Sequence, residues 1–178
     1  MSTTPASAKA AITPQYADII RTMNLQTLQN EFATTAKVIR AVPDAKSSYK
    51  PDPNAKSAAE LAWHIASSEI WFLDSIANGK FVPGAENDYK NPGTIEGIAA
   101  WYEKETKRGV EAVAKLSPDQ LVQPLDFFGA FQLPTFAYLT FQLVHGVHHR
   151  GQLSTYLRPM GSKVPSIYGG SFDDPWKG

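Results

Sequence analysis

Three of the chain's four histidines fall within five residues, in the run His145-Gly-Val-His-His149-Arg-Gly-Gln152. On a helix, positions four apart share a face, so His145 and His149 can turn their imidazoles toward one point. A helix supplies two ligands to a transition metal at that spacing. A single buried histidine is usually a hydrogen-bonded core residue, but three together are different. Burying three polar rings among Phe141, Leu143, Val144, Val147 and Leu153 is unfavourable unless a metal or a connected hydrogen-bond network takes them up. His145 with His148 is also a workable pair. The series Tyr138, Phe141, His145, His149, Gln152, Tyr156 traces one continuous face, however, which favours His149. His148, about 100° further round the helix, then borders the pocket or donates a hydrogen bond there.

The remaining histidine, His64, sits in a second apolar helical segment beside Trp63, Ile65 and Ala66 and is the natural third ligand. Small residues at Ala62, Ala66, Ser67 and Ser68 on that segment, and Gly146 and Gly151 on the other, would let the two helices approach closely. Three protein ligands leave open positions, as in catalytic zinc sites, where the metal lowers the pKa of a bound water or thiol and polarises a carbonyl. Zinc or nickel suits an all-nitrogen set best, and iron or manganese would also be accepted. Two familiar metal motifs are excluded. The residue after the first histidine is Gly146, so the general base of the His-Glu-x-x-His peptidases is missing. The paired Glu-x-x-His repeats of di-metal bundles are missing too. Glu69 and Glu60 are candidate orienters of the histidines, and Arg150 is a candidate for pairing with Asp74 or Glu69 or for binding a substrate carboxylate. Glu69, Asp74 and Tyr156 are the nearest guesses for a group facing the open metal positions.

These groups must be held by something, and the rest of the chain supplies helices. Four segments carry helical periodicity: about Pro14 to Val42, Ser57 to Gly79, Thr94 to Leu116, and Pro134 to Met160. The second opens on the capping box Ser57-Ala-Ala-Glu60 and has Gly79 as its stop. Glu103 with Lys107 and Glu111 with Lys115 are favourable pairs on the third. Ser117-Pro-Asp-Gln120 starts a short turn that Pro124 limits. The fourth opens with Pro134 in its first turn and has Gly161 as C-cap. Phe127 to Leu133 forms a small hairpin or an extended loop. The connections near 43–56, 80–93 and 117–133 are too long for tight turns, so crossovers are as admissible as plain up-and-down order. Residues 1–13 read as a flexible tail, 14–178 as one domain, and 162–178 as irregular chain free to fold back over the bundle.

Composition narrows the function. Seventeen basic residues balance seventeen acidic ones, which argues against nucleic acid or an anionic membrane as partner. No segment reads as a signal peptide or membrane span, so a cytoplasmic location is expected. The chain contains no cysteine, so any metal is held by nitrogen and oxygen, and any reacting thiol comes from a substrate.

The segments Trp63-His64-Ile-Ala, His145-Gly-Val-His-His149-Arg-Gly-Gln-Leu153, Tyr156-Leu-Arg-Pro-Met-Gly161 and Val164-Pro-Ser-Ile-Tyr168-Gly resemble the DinB-like superfamily, also described as YfiT-like metal-dependent hydrolases. The likeness covers nearly the whole domain. It implies an all-α four-helix bundle of up-down-down-up topology, frequently a homodimer, with a divalent metal at the positions of His64, His145 and His149. Relatives include thiol-dependent transferases and isomerases that use low-molecular-weight thiols. The expected activity is therefore metal-dependent hydrolysis or thiol-dependent transfer on a small molecule, with His148 and Arg150 as candidate substrate contacts. The rival expectations are metal or small-ligand binding without turnover, and a bundle with a vestigial metal whose role is dimerisation.

Overall fold

A computed structural model describes residues 12–176; all but Ile12 and Thr13 of the tail expected over residues 1–13 lies outside them. Four long helices carry the architecture. Helix α1, Pro14–Arg40, starts where the Thr13 hydroxyl accepts a hydrogen bond from the Tyr16 amide and Pro14 occupies the first turn. Helix α2, Ala58–Asn78, opens on the expected capping box. The Glu60 amide donates to the Ser57 hydroxyl at 3.2 Å, and the Ser57 amide donates to the Glu60 carboxylate at 2.7 Å. It stops at Gly79, whose φ of 65° is a left-handed conformation that glycine adopts without a Cβ penalty. Helix α3, Ile95–Ala114, is capped by Thr94, and the single turn α4, Pro118–Leu121, by Ser117 with Gln120.

The fourth long helix begins later than its sequence suggests. Strands β1, Pro124–Phe127, and β2, Phe131–Pro134, form an antiparallel hairpin with Leu125 opposite Leu133 and Pro124 opposite Pro134. Pro134 therefore ends a strand rather than starting a helix. Both prolines sit at the ends of a two-stranded ladder, where a missing N–H is tolerated. The amide and hydroxyl of Thr135 then donate to the Gln123 carbonyl, and only after this clasp does α5, Ala137–Leu157, begin. Beyond its end, Gly161 takes a φ of 74°, and the Ser162 amide reaches back to the Leu157 carbonyl at 2.9 Å.

Contacts between the helices set their directions. At the C-terminal end of α1, Arg40 pairs with Glu96 and Glu103 of α3; at the other end, Arg21 donates to the carbonyls of Ala114 and Leu116. These two helices are therefore antiparallel. Between α2 and α3, Trp63 meets Trp101 and Asp74 pairs with Arg108, so those helices run parallel. Between α2 and α5, His64 meets His149 and Phe72 meets Phe141, an antiparallel pairing. The first and last long helices point one way and the middle two the other. Glu103 is committed to Arg40, and among the described residues neither expected pair along α3, Glu103–Lys107 or Glu111–Lys115, closes.

The shared core contains Leu28, Phe32 and Ile39 from α1, Ile65, Ile70 and Ile76 from α2, Ile98 and Tyr102 from α3, and Tyr138, Leu139 and Leu153 from α5. Ala62, Ala66, Ser67 and Ser68 are all buried in α2, as close helix approach requires. Gly146 serves the same purpose on α5, because a Cβ there would collide with Oε1 of Glu69. Gly151 does not: nothing lies near the place its Cβ would occupy.

Candidate metal centre

The antiparallel packing of α2 on α5 brings His64 to the pair His145 and His149. One ring nitrogen from each lies within 4.8 Å of the others, and the ring centroids are separated by 4.5 to 5.7 Å. Nε2 of His64 and Nε2 of His149 are 3.2 Å apart. Two nitrogens bound tetrahedrally to one ion at about 2.0–2.1 Å are themselves about 3.3–3.4 Å apart, so this pair is already close to ligand spacing.

Hydrogen bonding prepares the ring nitrogens for that role. Nδ1 of His149 lies 2.7 Å from the amide oxygen of Gln152, one helical turn on. That oxygen only accepts, so Nδ1 carries the proton and Nε2 presents a bare lone pair to His64. A ligating histidine is ordinarily held this way by a partner on its other nitrogen. Gln152 lies on the His145–His149 face, and its position three residues after His149 is the sequence signal for this contact. Nδ1 of His145 is buried and has no hydrogen-bond partner. That orphan sits on a ring whose centroid lies 4.5 and 5.7 Å from those of His149 and His64, and a ligand bound there would account for it.

Electrostatics act in the same direction. Burial, reinforced by His149 and then Lys56, pushes the pKa of His64 down to about 4. Burial, reinforced by His149, His64 and His148, does the same to His145, also to about 4. His149 is lowered chiefly by burial, against the opposing Gln152 bond. A lowered pKa keeps an imidazole neutral, its ligating form, to lower pH than a free imidazole. Zinc affinity measured by dye competition should therefore stay nearly level from pH 7.5 to 6 and fall steeply only below about 5, as protons reach His64 and His145. A steep fall centred near 6.5 would mean that the rings titrate like exposed histidines.

The other sequence candidates lie elsewhere. His148 is exposed, with its ring 4.8 Å from that of His149, at the rim of the cluster. Arg150 is 1% exposed and turned inward, where it pairs with Glu31 at 2.5 Å rather than with Asp74 or Glu69. Its guanidinium also meets the Glu31 carbonyl, the Thr35 hydroxyl and the Tyr168 hydroxyl, so its charge is taken up within the fold. Glu69 does not orient a histidine; it accepts a 2.5 Å hydrogen bond from Tyr102. Burial raises its pKa to about 7, against the opposing pull of Tyr102 and Arg150. Asp74 is held by Arg108 and Tyr89, Glu60 by its capping box, and Tyr156 packs its ring on Tyr49. Among the described residues, none of these groups hydrogen-bonds a clustered histidine.

Three neutral imidazoles converging between two helices of a four-helix bundle define a class of protein able to hold a divalent metal through nitrogen alone. The chain belongs to the DinB family, whose model matches residues 19–177. It is similar to two uncharacterized proteins of Bacillus subtilis (strain 168). With YrdA it shares 28% identity over 145 residues, 82% of this chain and 86% of YrdA. With YjoA it shares 31% identity over 123 residues, 68% of this chain and 78% of YjoA. Among solved structures it resembles a DinB-like protein from Bacillus cereus ATCC 10987, with a TM-score of 0.69 and 30% identity over 82% of this chain and 95% of that one. The crystal structure of YjoA shares the fold, with a TM-score of 0.68 and 23% identity over 82% of this chain and 96% of that one. No helix among the described residues is long and apolar enough to cross a membrane.

Proposed function

We propose that this protein is a metal-dependent enzyme acting on a small molecule, with His64, His145 and His149 holding a divalent ion. The observation that carries the reading is the convergence of three ring nitrogens within 4.8 Å, on half-buried histidines that include His145, whose buried Nδ1 has no hydrogen-bond partner. Zinc and nickel suit this nitrogen set best, with iron and manganese also compatible. When bound, such an ion supplies Lewis acidity that polarises a carbonyl and favours the anion of a water or thiol. The chain's own residues do the positioning. Gln152 holds the His149 tautomer, Phe72 packs at 5.4 Å on the ring of His145, and exposed His148 is placed to meet a substrate at the rim.

The reaction classes that fit are hydrolysis and transfer from a low-molecular-weight thiol. Since the chain has no cysteine, that thiol would be a co-substrate. A homodimer in the cytoplasm is the setting we assign. A second reading, metal or ligand binding without turnover, is favoured by one observation: Glu69, Asp74 and Tyr156 all have partners away from the histidines. The test is a screen of metal-loaded protein against ester, amide and alkylating electrophiles, with and without low-molecular-weight thiols. Product that requires the thiol and is lost in His145→Ala identifies a transferase; product formed without thiol identifies a hydrolase. Stoichiometric metal with no product in either arm would favour the binding reading.

A further inference from the structure

The hairpin is an addition to the bundle, and it carries three phenylalanines in five residues, Phe127, Phe128 and Phe131. Its turn is costly for the sequence it has. Phe128 takes a φ of 57° and Gly129 a φ of 73°, with the Ala130 amide closing on the Phe127 carbonyl at 3.0 Å. Tight hairpin turns with two positive φ values favour Asn, Asp or Gly at the first of these positions. Phenylalanine there is strained, and its ring is left 45% exposed.

From this turn an aromatic path runs to the metal centre. Phe127 stacks on Phe131 at 5.0 Å, Phe131 meets Phe141 at 6.0 Å, Phe141 meets Phe72 at 5.5 Å, and Phe72 meets His145 at 5.4 Å. Phe131 and Phe141 are 38% and 39% exposed, so the path is a surface shelf over part of its length. Phe141, His145 and His149 follow one another at four-residue spacing along α5, about 6 Å of axial rise per step. A molecule one or two rings long can therefore span from shelf to histidines.

The bare area says what kind of molecule. Phe128 adjoins Phe131 and Phe141 through Phe127, 4.7 Å from it, and if a whole phenylalanine side chain offers about 200 Å², the three partly exposed rings leave at most roughly 250 Å² uncovered. A stable protein interface needs about 800 Å² from each partner, so the shelf is too small for one and suits the face of a small aromatic compound. Apolar surface concentrated beside a polar centre is the usual mark of a ligand site. We infer that Phe128, Phe131 and Phe141 form the subsite for the aromatic or similarly bulky apolar body of the small molecule whose donor group meets His64, His145 and His149. This rests on the metal-centre reading proposed above.

Isothermal titration of the zinc-loaded full chain with two hydroxamates tests it. Acetohydroxamate offers the donor group alone, and 3-phenylpropanohydroxamate adds a ring on a short tether. The phenyl compound should bind about tenfold more tightly or better. Phe131→Ser should bring the ratio near unity while zinc stoichiometry and acetohydroxamate affinity are kept. Phe128→Gly should lower the ratio as well; glycine relieves the left-handed strain at this position while giving up the ring's packing on Trp71, Phe81 and Phe127, so its folding is checked by circular dichroism alongside zinc stoichiometry. Equal affinities in the parent, or an undiminished ratio in both variants, overturns the inference while leaving the metal centre intact. Failure to bind zinc removes the centre and the inference together, whereas zinc bound with neither hydroxamate recognised overturns the inference alone. A parent dimer that Phe131→Ser dissociates in sedimentation, with no aryl preference, assigns the shelf to a second copy and also overturns it.

Discussion

Arg150→Ala should destabilise the protein by about 3–5 kcal/mol, the loss typical of breaking a buried ion pair by removing one partner. Arg150 is 1% exposed, and four groups converge on its guanidinium: the Glu31 carboxylate and carbonyl, the Thr35 hydroxyl and the Tyr168 hydroxyl. The Tyr168 ring also lies 5.1 Å beneath it. Alanine removes the charge and leaves Glu31 on α1 partly buried with no cation. The loss is a large share of the roughly 5–15 kcal/mol that holds a domain together. It should appear as a fall in melting temperature on the order of 10 °C, read by circular dichroism. The double replacement Arg150→Met with Glu31→Leu should recover most of it, because apolar side chains of similar volume remove both buried charges at once. A loss below about 1 kcal/mol in the single variant would show that water replaces the guanidinium at no cost.

The second large effect concerns the metal. Removing Gln152 as acceptor, in Gln152→Leu, should weaken zinc or nickel binding by about 10–100-fold, the range for loss of a ligand's outer partner. His64→Ala and His145→Ala should weaken it further still, since each removes one of only three clustered nitrogens. His148→Ala should leave affinity nearly unchanged, because that exposed ring stands outside the cluster. Competition with a chelating dye ranks the four variants directly. Equal losses in His148→Ala and His145→Ala would assign the ligand pair on α5 to the other spacing.

Much of this was legible because the deciding signals are local. The capping box at Ser57 and Glu60, the stop at Gly79 and the four-residue spacing of His145 and His149 each fit within a turn or so of helix, where spacing fixes which groups meet. His64 could be recruited because it is the one histidine outside the run. Failures came where geometry is set by distant chain. Pro134 is equally at home in a helix's first turn and at a strand end, and only its pairing opposite Pro124 decides. Arg150 has its acid on α1, 119 residues away, and no local pattern marks Glu31. Glu69, a candidate orienter of the histidines by sequence, faces Tyr102 and Gly146 instead, contacts that only the packing of α3 and α5 on α2 reveals. The aromatic shelf was readable only as a short hairpin or loop, since its significance depends on Phe131 reaching Phe141 across the fold.

Metal content decides whether His64, His145 and His149 hold one divalent ion. Elemental analysis of protein purified without a metal-binding tag tests it most directly. One divalent ion per chain is expected in the parent protein, lost in both His64→Ala and His145→Ala while the helical circular dichroism is kept. Stoichiometric metal retained in both variants, or none bound by the parent even after exposure to zinc and nickel, would contradict it.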